Sequence, residues 1–452
     1  MGVPEKEQKN GQGRKRNIVH RTGVILFWLL VWQLLALAVH NDILLVTPLE
    51  AFSSLLEQIV QPVFWRTVGA SLLRIGSGFL AGALGAMLLA ALSFRFLLIQ
   101  ELLAPLISLL KTVPVVSFVV LLLIWWGSSF LSAAVCFLVV LPNIYVNALA
   151  GLKNTSRSLV EMARIFKLPR WNRFFYIYRP ALRPFLYSGL SISLGMCWKS
   201  GVAAEVIGTP DFSIGERLYL SKIYLDTAGV FAWTAVIILL SVGFERLILF
   251  LAGKFFEWEP VCRTTQSAMT VGAGRKKQQD DKLVCRNICK AYGDKQVLSG
   301  FSADYEPGNT YYLTWESGSG KTTLLRILCG LERPDSGELQ GQTSFGMVFQ
   351  EDRLCEEYSA LRNVELVLGD RKRAKAALLE LLDKEDVEKP CSQLSGGMKR
   401  RVALVRAMET NAPCLLLDEP FAGMDIRTRQ RAEEYIRKRA EGRILIIATH
   451  IA

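Results

Sequence analysis

The sequence has few of the residues that build metal centres or disulfide frameworks. It contains three histidines in 452 residues, and its nine cysteines are scattered without a Cys-x-x-Cys pair. Zinc sites and disulfide scaffolds usually place such residues at short, repeated spacings. Neither kind of site is supported, and we interpret the cysteines as reduced thiols in the cytosol or in a membrane.

Acidic side chains are also fewer than basic ones, and the formal net charge is +12. Such a charge would indicate nucleic acid as a partner of a soluble protein. Here the lysines and arginines lie beside long apolar segments, so the headgroups of membrane lipids explain the charge better. We therefore expect a membrane partner and no nucleic acid.

Long apolar runs fill the first half of the chain. About 20 apolar residues suffice to cross a bilayer, and six runs approach that length, at about residues 22–39, 68–93, 102–125, 130–150, 186–206 and 229–252. We predict an α-helical membrane bundle of about six spans over residues 22–256, preceded by a basic tail over residues 1–21. Lys199 and Glu205 lie in the fifth run. Lys199 could attract an anion or pair within the bundle, and we favour packing.

The absence of lysine and arginine between residues 40 and 65 orients these spans. In contrast, the loop over residues 151–185 holds eight basic residues. The positive-inside rule places such a loop in the cytoplasm. An even number of spans then puts the N-terminus and everything after residue 252 on that side of a bacterial-type plasma membrane. Thr47, Pro48 and Glu50 form a capping-box pattern that predicts a short helix in the outer segment.

Residues 257–282 separate two very different compositions. They include Pro260, Gly272 and Gly274, followed by a short basic run, a pattern typical of flexible linkers. Residues 283–452 have short apolar runs between polar helical stretches, which predicts a soluble α/β domain tied to the membrane part.

Three motifs of the soluble part occur in a diagnostic order. Residues 317–323 read Ser-Gly-Ser-Gly-Lys-Thr-Thr, residues 394–397 read Leu-Ser-Gly-Gly, and residues 414–420 read Cys-Leu-Leu-Leu-Asp-Glu-Pro. Glycine-rich turns expose backbone N–H groups to phosphate, and two carboxylates after a strand suit a metal and a water. Together the motifs resemble the ATP-binding-cassette (ABC) ATPases, whose signature is Leu-Ser-Gly-Gly. The fold implied is an α/β P-loop ATPase domain.

The resemblance implies ATP and Mg²⁺ as cofactors and assigns roles to individual residues. Tyr292 would stack on adenine, and Glu419 would be the general base, with Gln350 and His450 sensing the attacking water and the γ-phosphate. Mg²⁺ would be held by Thr322, Gln350 and Asp418. The phosphate-binding residues would be Ser317, Gly318, Ser319, Gly320, Lys321, Thr322 and Thr323.

One position departs from the P-loop pattern. Trp315 stands where the pattern has glycine. If its backbone φ is negative, the ring can turn outward and the loop keeps its shape. If φ is positive, strain of about 1–3 kcal/mol would weaken nucleotide binding. A nucleotide-binding subunit with weak hydrolysis, dependent on an active partner, is therefore one alternative.

In ABC ATPases the signature contacts ATP held by a second cassette. Ser395, Gly396 and Gly397 would serve that role here, so a homodimer or a second half-transporter is implied. Arg400 occupies a position where glutamine is common, which we interpret as a tolerated surface change. The chain ends two residues after His450, where the family usually continues, so we expect a short cassette whose last strand lies at an exposed sheet edge.

The basic loop over residues 151–185 has a pattern of its own. It could be a solvated loop on lipid headgroups, but its spacing resembles the cytoplasmic coupling loop of bacterial ABC importers, with Lys167 where glycine is usual and Arg179 where leucine is usual. Such a loop inserts a helix into a groove of the ATPase. The expected apolar contacts come from Leu159, Ala163, Phe166 and Leu168.

Residues 195–208 and 212–226 resemble the permeases of nitrate, sulfonate and taurine importers. The resemblance implies ATP-driven import of such an anion, delivered by an extracytoplasmic binding protein. Related permeases serve thiamine precursors, so another small metabolite stays open as substrate. An ABC exporter half would lack the patterned loop, and a soluble ABC protein of repair or translation would lack the spans.

Overall fold

The computed structural model describes residues 5–41, 43–259, 262, 282–316, 318–341 and 344–449. It divides into two compact units. The first comprises Met1–Lys153 with Arg183–Glu257, and the second comprises Asn154–Leu182 with Trp258–Ala452. Most of the predicted linker, residues 260–261 and 263–281, lies outside the described residues.

The first unit is helical. Its helices are α1 (Glu5–Val39), α2 (Pro48–Ile59), α3 (Pro62–Arg95), α4 (Leu97–Thr112), α5 (Val115–Trp126), α6 (Ser128–Lys153), the larger part of α9 (Arg179–Gly208), α10 (Ile214–Ile223) and α11 (Thr227–Glu257). The predicted capping box is confirmed at α2, where the Thr47 hydroxyl accepts from the Glu50 N–H and the Glu50 carboxylate accepts from the Thr47 N–H.

Within the described residues, four helical segments are long and apolar enough to cross a membrane: Thr22–Val39, Pro62–Arg95, Ser128–Lys153 and Thr227–Glu257. The third expected span is two helices, α4 and α5, that meet at an angle of 103°. The break falls at Val113 and Pro114, and proline cannot donate the backbone hydrogen bond that would continue a helix. The fifth expected span lies within α9, which is long enough but carries more polar residues than the other four.

Small residues let the membrane helices approach closely. A Cβ atom on Gly78 of α3 would lie 2.3 Å from the carbonyl oxygen of Ala133 in α6, so only glycine fits there. Glu205 is fully buried and accepts hydrogen bonds from the Ser71 hydroxyl at 2.7 Å and the Gly215 N–H at 3.3 Å. Lys199 is exposed on α9, and its packing role stays a prediction.

The second unit begins with the patterned loop. Its short elements are α7 (Arg157–Ile165), α8 (Arg170–Arg173) and a π-helical turn (Phe174–Tyr178). Ala163, Phe166 and Leu168 are buried in the core of this unit and Leu159 packs against it. The expected apolar contacts of this segment are thus confirmed.

Two sheets, six α-helices and a 3-10 turn (Cys391–Gln393) are the further regular elements of the second unit's described part. The antiparallel sheet has the order β2 (Lys295–Tyr305), β1 (Leu283–Tyr292), β4 (Ser336–Gln340). The parallel sheet has the order β3 (Thr310–Leu313), β7 (Ile444–Ala448), β6 (Cys414–Asp418), β5 (Phe345–Val348). The helices are α12 (Lys321–Leu328), α13 (Ala360–Leu368), α14 (Arg371–Leu379), α15 (Lys384–Val387), α16 (Gly396–Met408) and α17 (Ile426–Ala440).

The last strand corrects an expectation. We expected β7 at an exposed edge, but it pairs with β3 on one side and β6 on the other. The apolar run over residues 444–448 is fully consistent with this place, because a central parallel strand is buried on both faces. The edge strand on that side is β3.

Candidate nucleotide site

The candidate site lies at the carboxyl edge of the parallel sheet. Leu313 of β3 and Asp418 of β6 both pair with Ala448 of β7, so these strands end at the same level. Val348 at the end of β5 pairs with Leu417. The loops that follow these strands carry the predicted phosphate-binding and catalytic residues, and this edge is where open α/β sheets bind ligands.

The P-loop turn depends on glycine. Gly318 and Gly320 have φ values of +80° and +95°, in the left-handed region that disfavours other residues. Gly320 caps α12 without a side-chain hydrogen bond, and the N-terminus of a helix favours a bound anion. The hydroxyl of Ser319 donates to the carbonyl oxygen of Glu316 at 2.6 Å, which fixes the turn.

Trp315 and Lys321 meet across this turn. The backbone φ of Trp315 is not positive, and its ring packs edge-on against Phe301 with centroids 5.3 Å apart. The buried Lys321 ammonium donates to the carbonyl oxygens of Trp315 and Glu316. Of the two conformations considered for Trp315, the structure has the one with negative φ. Its side chain therefore does not strain the loop.

Thr322 and Asp418 form the candidate Mg²⁺ site. The Thr322 hydroxyl donates to the Asp418 carboxylate at 2.9 Å. Burial raises the pKa of Asp418, and the hydrogen bond from Thr322 opposes that rise. A buried carboxylate beside a hydroxyl supplies the oxygen ligands that Mg²⁺ prefers, so these residues fit the ion. Gln350, the third predicted ligand, is exposed just beyond β5.

Glu419 follows Asp418 in a strained backbone conformation. Its φ is +48°, and its N–H donates to the Ala448 carbonyl oxygen at 2.9 Å. Left-handed conformations of residues other than glycine are uncommon and cluster at functional sites. The hydrogen bond to β7 fixes the direction in which the chain leaves β6, and with it the placement of Glu419.

Two further residues lie near the start of α12. The Tyr292 hydroxyl contacts the Glu332 carboxylate and Thr323, and about half of the Tyr292 side chain is exposed. Tyr292 and Thr323 are thus brought together with the P-loop. Ser317 and His450, both predicted site residues, lie outside the described part of the chain.

The signature residues lie at the start of α16. Ser395 caps this helix by accepting from the Met398 N–H at 3.3 Å. A Cβ atom on Gly397 would lie 2.6 Å from the Gly423 carbonyl oxygen, whereas one on Gly396 would meet nothing within 4 Å. Ser395 and Gly396 are exposed, so this surface is open to a second molecule.

Arg400 is not the surface residue that we expected. It is 3% exposed, and its guanidinium donates to the carbonyl oxygens of Phe349 at 2.6 Å, Gln350 at 3.0 Å and Asp418 at 3.2 Å. It also pairs with the Asp352 carboxylate at 3.0 Å. An arginine can serve these four acceptors because its planar group has five N–H donors.

Sequence reasoning also missed a set of ion pairs around Glu161 of α7. Its carboxylate accepts from Arg326 of α12 at 3.0 and 3.1 Å and from Arg353 at 2.7 Å. Partial burial alone would raise the pKa of Glu161, but the hydrogen bonds from both arginines hold it below its usual value. The basic residues that follow the P-loop and Gln350 were the only sequence signal.

Comparisons with known proteins agree with both parts of the chain. A family model described as ABC transporter matches residues 298–422. A second model, described as the binding-protein-dependent transport system inner membrane component, matches residues 78–256.

Three relatives resemble the ATPase part. The aliphatic sulfonates import ATP-binding protein SsuB 1 of Pseudomonas fluorescens is 40% identical over 187 residues, which are 40% of this chain and 72% of that protein. SsuB 2 of Pseudomonas syringae pv. syringae is 45% identical, over 33% of this chain and 56% of that protein. The sulfate/thiosulfate import ATP-binding protein CysA of Gloeobacter violaceus is 37% identical, over 34% of this chain and 51% of that protein. The chain thus spans little more than half of the latter two.

The fold and the site define a membrane permease joined to a P-loop ATPase domain. The chain belongs to the ABC transporter family, as a fused permease and ATPase of the importer type. A permease component of this kind makes it a multi-pass protein of the inner membrane.

Proposed function

We propose that this chain is one half of an ATP-driven importer for a small anion of the sulfonate, sulfate or nitrate type. The observation that carries the proposal is the pairing of Thr322 with Asp418 beside Glu419, in a chain whose other part matches an importer permease. The names of the relatives, which import sulfonates or sulfate and thiosulfate, support an oxyanion as substrate.

In the proposed reaction, the P-loop N–H groups and Lys321 bind the β- and γ-phosphates of ATP. Thr322 and Asp418, with Gln350, would hold Mg²⁺, which supplies charge neutralisation at the phosphates when bound. Glu419 accepts a proton from the attacking water as general base. Tyr292 stacks on the adenine, and His450 contacts the γ-phosphate.

We further propose that two chains act together, as a homodimer or with a second half-transporter, and that a binding protein delivers the substrate outside the membrane. The proposed permease comprises residues 22–256, with the coupling loop over 151–185, and the ATPase domain comprises residues 283–452. Residues 1–21, the coupling loop and the ATPase domain would lie in the cytoplasm, as the distribution of basic residues supports. A thiamine precursor remains the alternative substrate class.

The test of the motor is ATP turnover by the purified chain in lipid nanodiscs. Glu419→Gln keeps the size of the side chain but removes the base, and we expect turnover to fall roughly 100-fold or more. The matched control is Glu433→Gln, on the exposed face of α17, which should leave turnover unchanged. Equal turnover of Glu419→Gln and the native chain would contradict the proposed hydrolytic role.

The substrate needs a separate measurement. With the partner binding protein present, uptake of labelled alkanesulfonate, sulfate, nitrate and a thiamine precursor is compared in proteoliposomes containing native or Glu419→Gln chains. We expect ATP-dependent uptake of at least one of the anions by the native chain alone. Uptake of only the thiamine precursor would replace the anion proposal with the alternative.

A further inference from the structure

We propose that Arg400 is a positioning residue that ties the segment carrying Gln350 to the end of β6, where Asp418 lies. The inference rests on the proposed ATP hydrolysis. It concerns a residue that touches neither the phosphates nor the water, and that acts through the backbone of residues that do.

The contacts of Arg400 join two separate strand ends. On one side its guanidinium donates to the carbonyl oxygens of Phe349 and Gln350, at 2.6 and 3.0 Å. On the other side it donates to the carbonyl oxygen of Asp418 at 3.2 Å. Since β5 and β6 are neighbours in the sheet, one side chain thereby sets the distance between the two loops that leave them.

The charge of Arg400 is balanced locally. Its partner Asp352 lies two residues after Gln350. The ion pair of 3.0 Å is thus the third contact between Arg400 and the segment that carries Gln350. The side chains of Arg400 and Asp352 are 3% and 24% exposed. An uncompensated charge buried to this extent is costly, so either partner alone would disturb the segment.

Arg406 holds the far end of the same segment. It is 1% exposed and donates to the carbonyl oxygens of Asp352 at 3.0 Å and Arg353 at 2.8 Å. Both arginines belong to α16, which begins directly after the signature serine Ser395. The backbone from residue 349 to residue 353 is thus fastened to the signature helix, and only Arg400 also reaches β6.

The substitution that tests the inference is Arg400→Met, which keeps the length and the apolar stem but removes every donor. Misplacement of Gln350 and Asp418 should lower kcat roughly 10- to 100-fold and raise the Mg²⁺ concentration needed for half-maximal turnover. The KM for ATP should change little, because the P-loop keeps its contacts. Arg400→Gln can still donate to one carbonyl, so it should recover part of the loss.

Arg443→Met is the matched control. Arg443 is partly buried and donates to backbone carbonyls, those of Thr410 at 2.8 Å and Met408 at 3.0 Å, away from the site. Both variants should lose thermal stability, but Arg443→Met should keep the native kcat and Mg²⁺ dependence. Equal kinetic losses in the two variants, or native kinetics in Arg400→Met, would overturn the positioning role.

A failure of the proposed hydrolysis can be distinguished from a failure of the positioning role of Arg400. If the native chain shows no turnover, the same variants are compared by binding of a fluorescent ATP analogue with and without Mg²⁺. Arg400→Met should then lose the Mg²⁺-dependent gain in affinity and keep the metal-free affinity. If Arg400→Met keeps the native Mg²⁺-dependent gain in affinity, the inference is contradicted, whether or not the native chain hydrolyses ATP.

Discussion

At the scale of single residues, Trp315 shows how a P-loop can accept a bulky side chain. The contact that matters to the loop is made by its backbone carbonyl, which accepts from Lys321. The indole packs on Phe301 of β2 instead of entering the turn. Glycine is required at Gly318 and Gly320, where φ is positive, and not at residue 315.

Trp315→Gly, which restores the family residue, should therefore bring no gain in ATP turnover. It removes the packing on Phe301 and adds backbone freedom in the unfolded chain, so the free energy of unfolding should fall by about 1–3 kcal/mol. Thermal unfolding and turnover in nanodiscs measure the two effects. Trp315→Phe retains an aromatic contact and serves as the control. A clear rise in turnover for Trp315→Gly would instead indicate a strained loop.

Arg400 marks the limit of residue-by-residue prediction. A polar side chain in a helix that follows a signature motif is usually solvated, and nothing nearby in the sequence announces its acceptors. These lie about 50 residues earlier, after β5, and 18 residues later, at the end of β6. Only the pairing of those strands brings the acceptors to one point.

At the scale of elements, the sequence predicted those features of helices and strands that depend on residues close together along the chain. The capping box at Thr47 depends on neighbouring residues, and it matches the structure. The central place of β7 depends on tertiary packing, and so does the size of the 103° angle at the break that Pro114 introduces between α4 and α5. Strand order in a parallel sheet cannot be inferred from order along the chain, because each crossover can skip a neighbour.

The proposed coupling loop over residues 151–185 is the element through which we expect nucleotide chemistry to act on the permease. Glu161 of α7 bridges Arg326, on the helix that starts at the P-loop, and Arg353, three residues after Gln350. Movement at either end of the nucleotide site would thus act on the same carboxylate. The buried apolar side chains of Met162 and Ala163 hold α7 in the core of the second unit independently of these ion pairs.

Glu161→Gln should therefore uncouple transport from hydrolysis without releasing the segment. We expect near-native basal ATP turnover and a several-fold lower ratio of substrate moved to ATP hydrolysed. A double-mutant cycle of Glu161→Gln and Arg353→Gln on the free energy of unfolding should give a coupling energy of about 0.5–3 kcal/mol. The reason is that the Glu161 carboxylate and the Arg353 guanidinium are in contact. Glu433→Gln is the control, and additivity of the two mutations would contradict a shared role.

The same ion pairs carry a pH dependence. Because the pKa of Glu161 is lowered in the folded protein, its contribution to stability is present above the ordinary glutamate pKa and is lost as pH falls through the lowered value. The native chain should lose more stability than Glu161→Gln on acidification in that window.

At the scale of the whole molecule, the chain holds one P-loop and one signature. Ser395 and Gly396 are exposed at the start of α16, and the surface beside Gly396 is open. An ATP site that needs both motifs is complete only if a second chain supplies its signature to the P-loop of the first. Two-fold symmetry would then create two equal sites per dimer.

Complementation of two inactive variants tests this arrangement. Lys321→Ala removes the phosphate contact and Ser395→Arg blocks the signature, so each variant alone should be inactive. In a mixed dimer one site carries both lesions, whereas the other combines Lys321 of one chain with Ser395 of the other and is intact. If the chains assort randomly, half of the dimers are mixed, and turnover should recover to about a quarter of the native value.

The control is a mixture of the single variant Lys321→Ala with the double variant that carries both Lys321→Ala and Ser395→Arg, so that every site lacks the lysine. No recovery in the first mixture, with mixed dimers shown by differential tags, would mean that the two motifs do not meet across a homodimer, and a second kind of half-transporter would then be required.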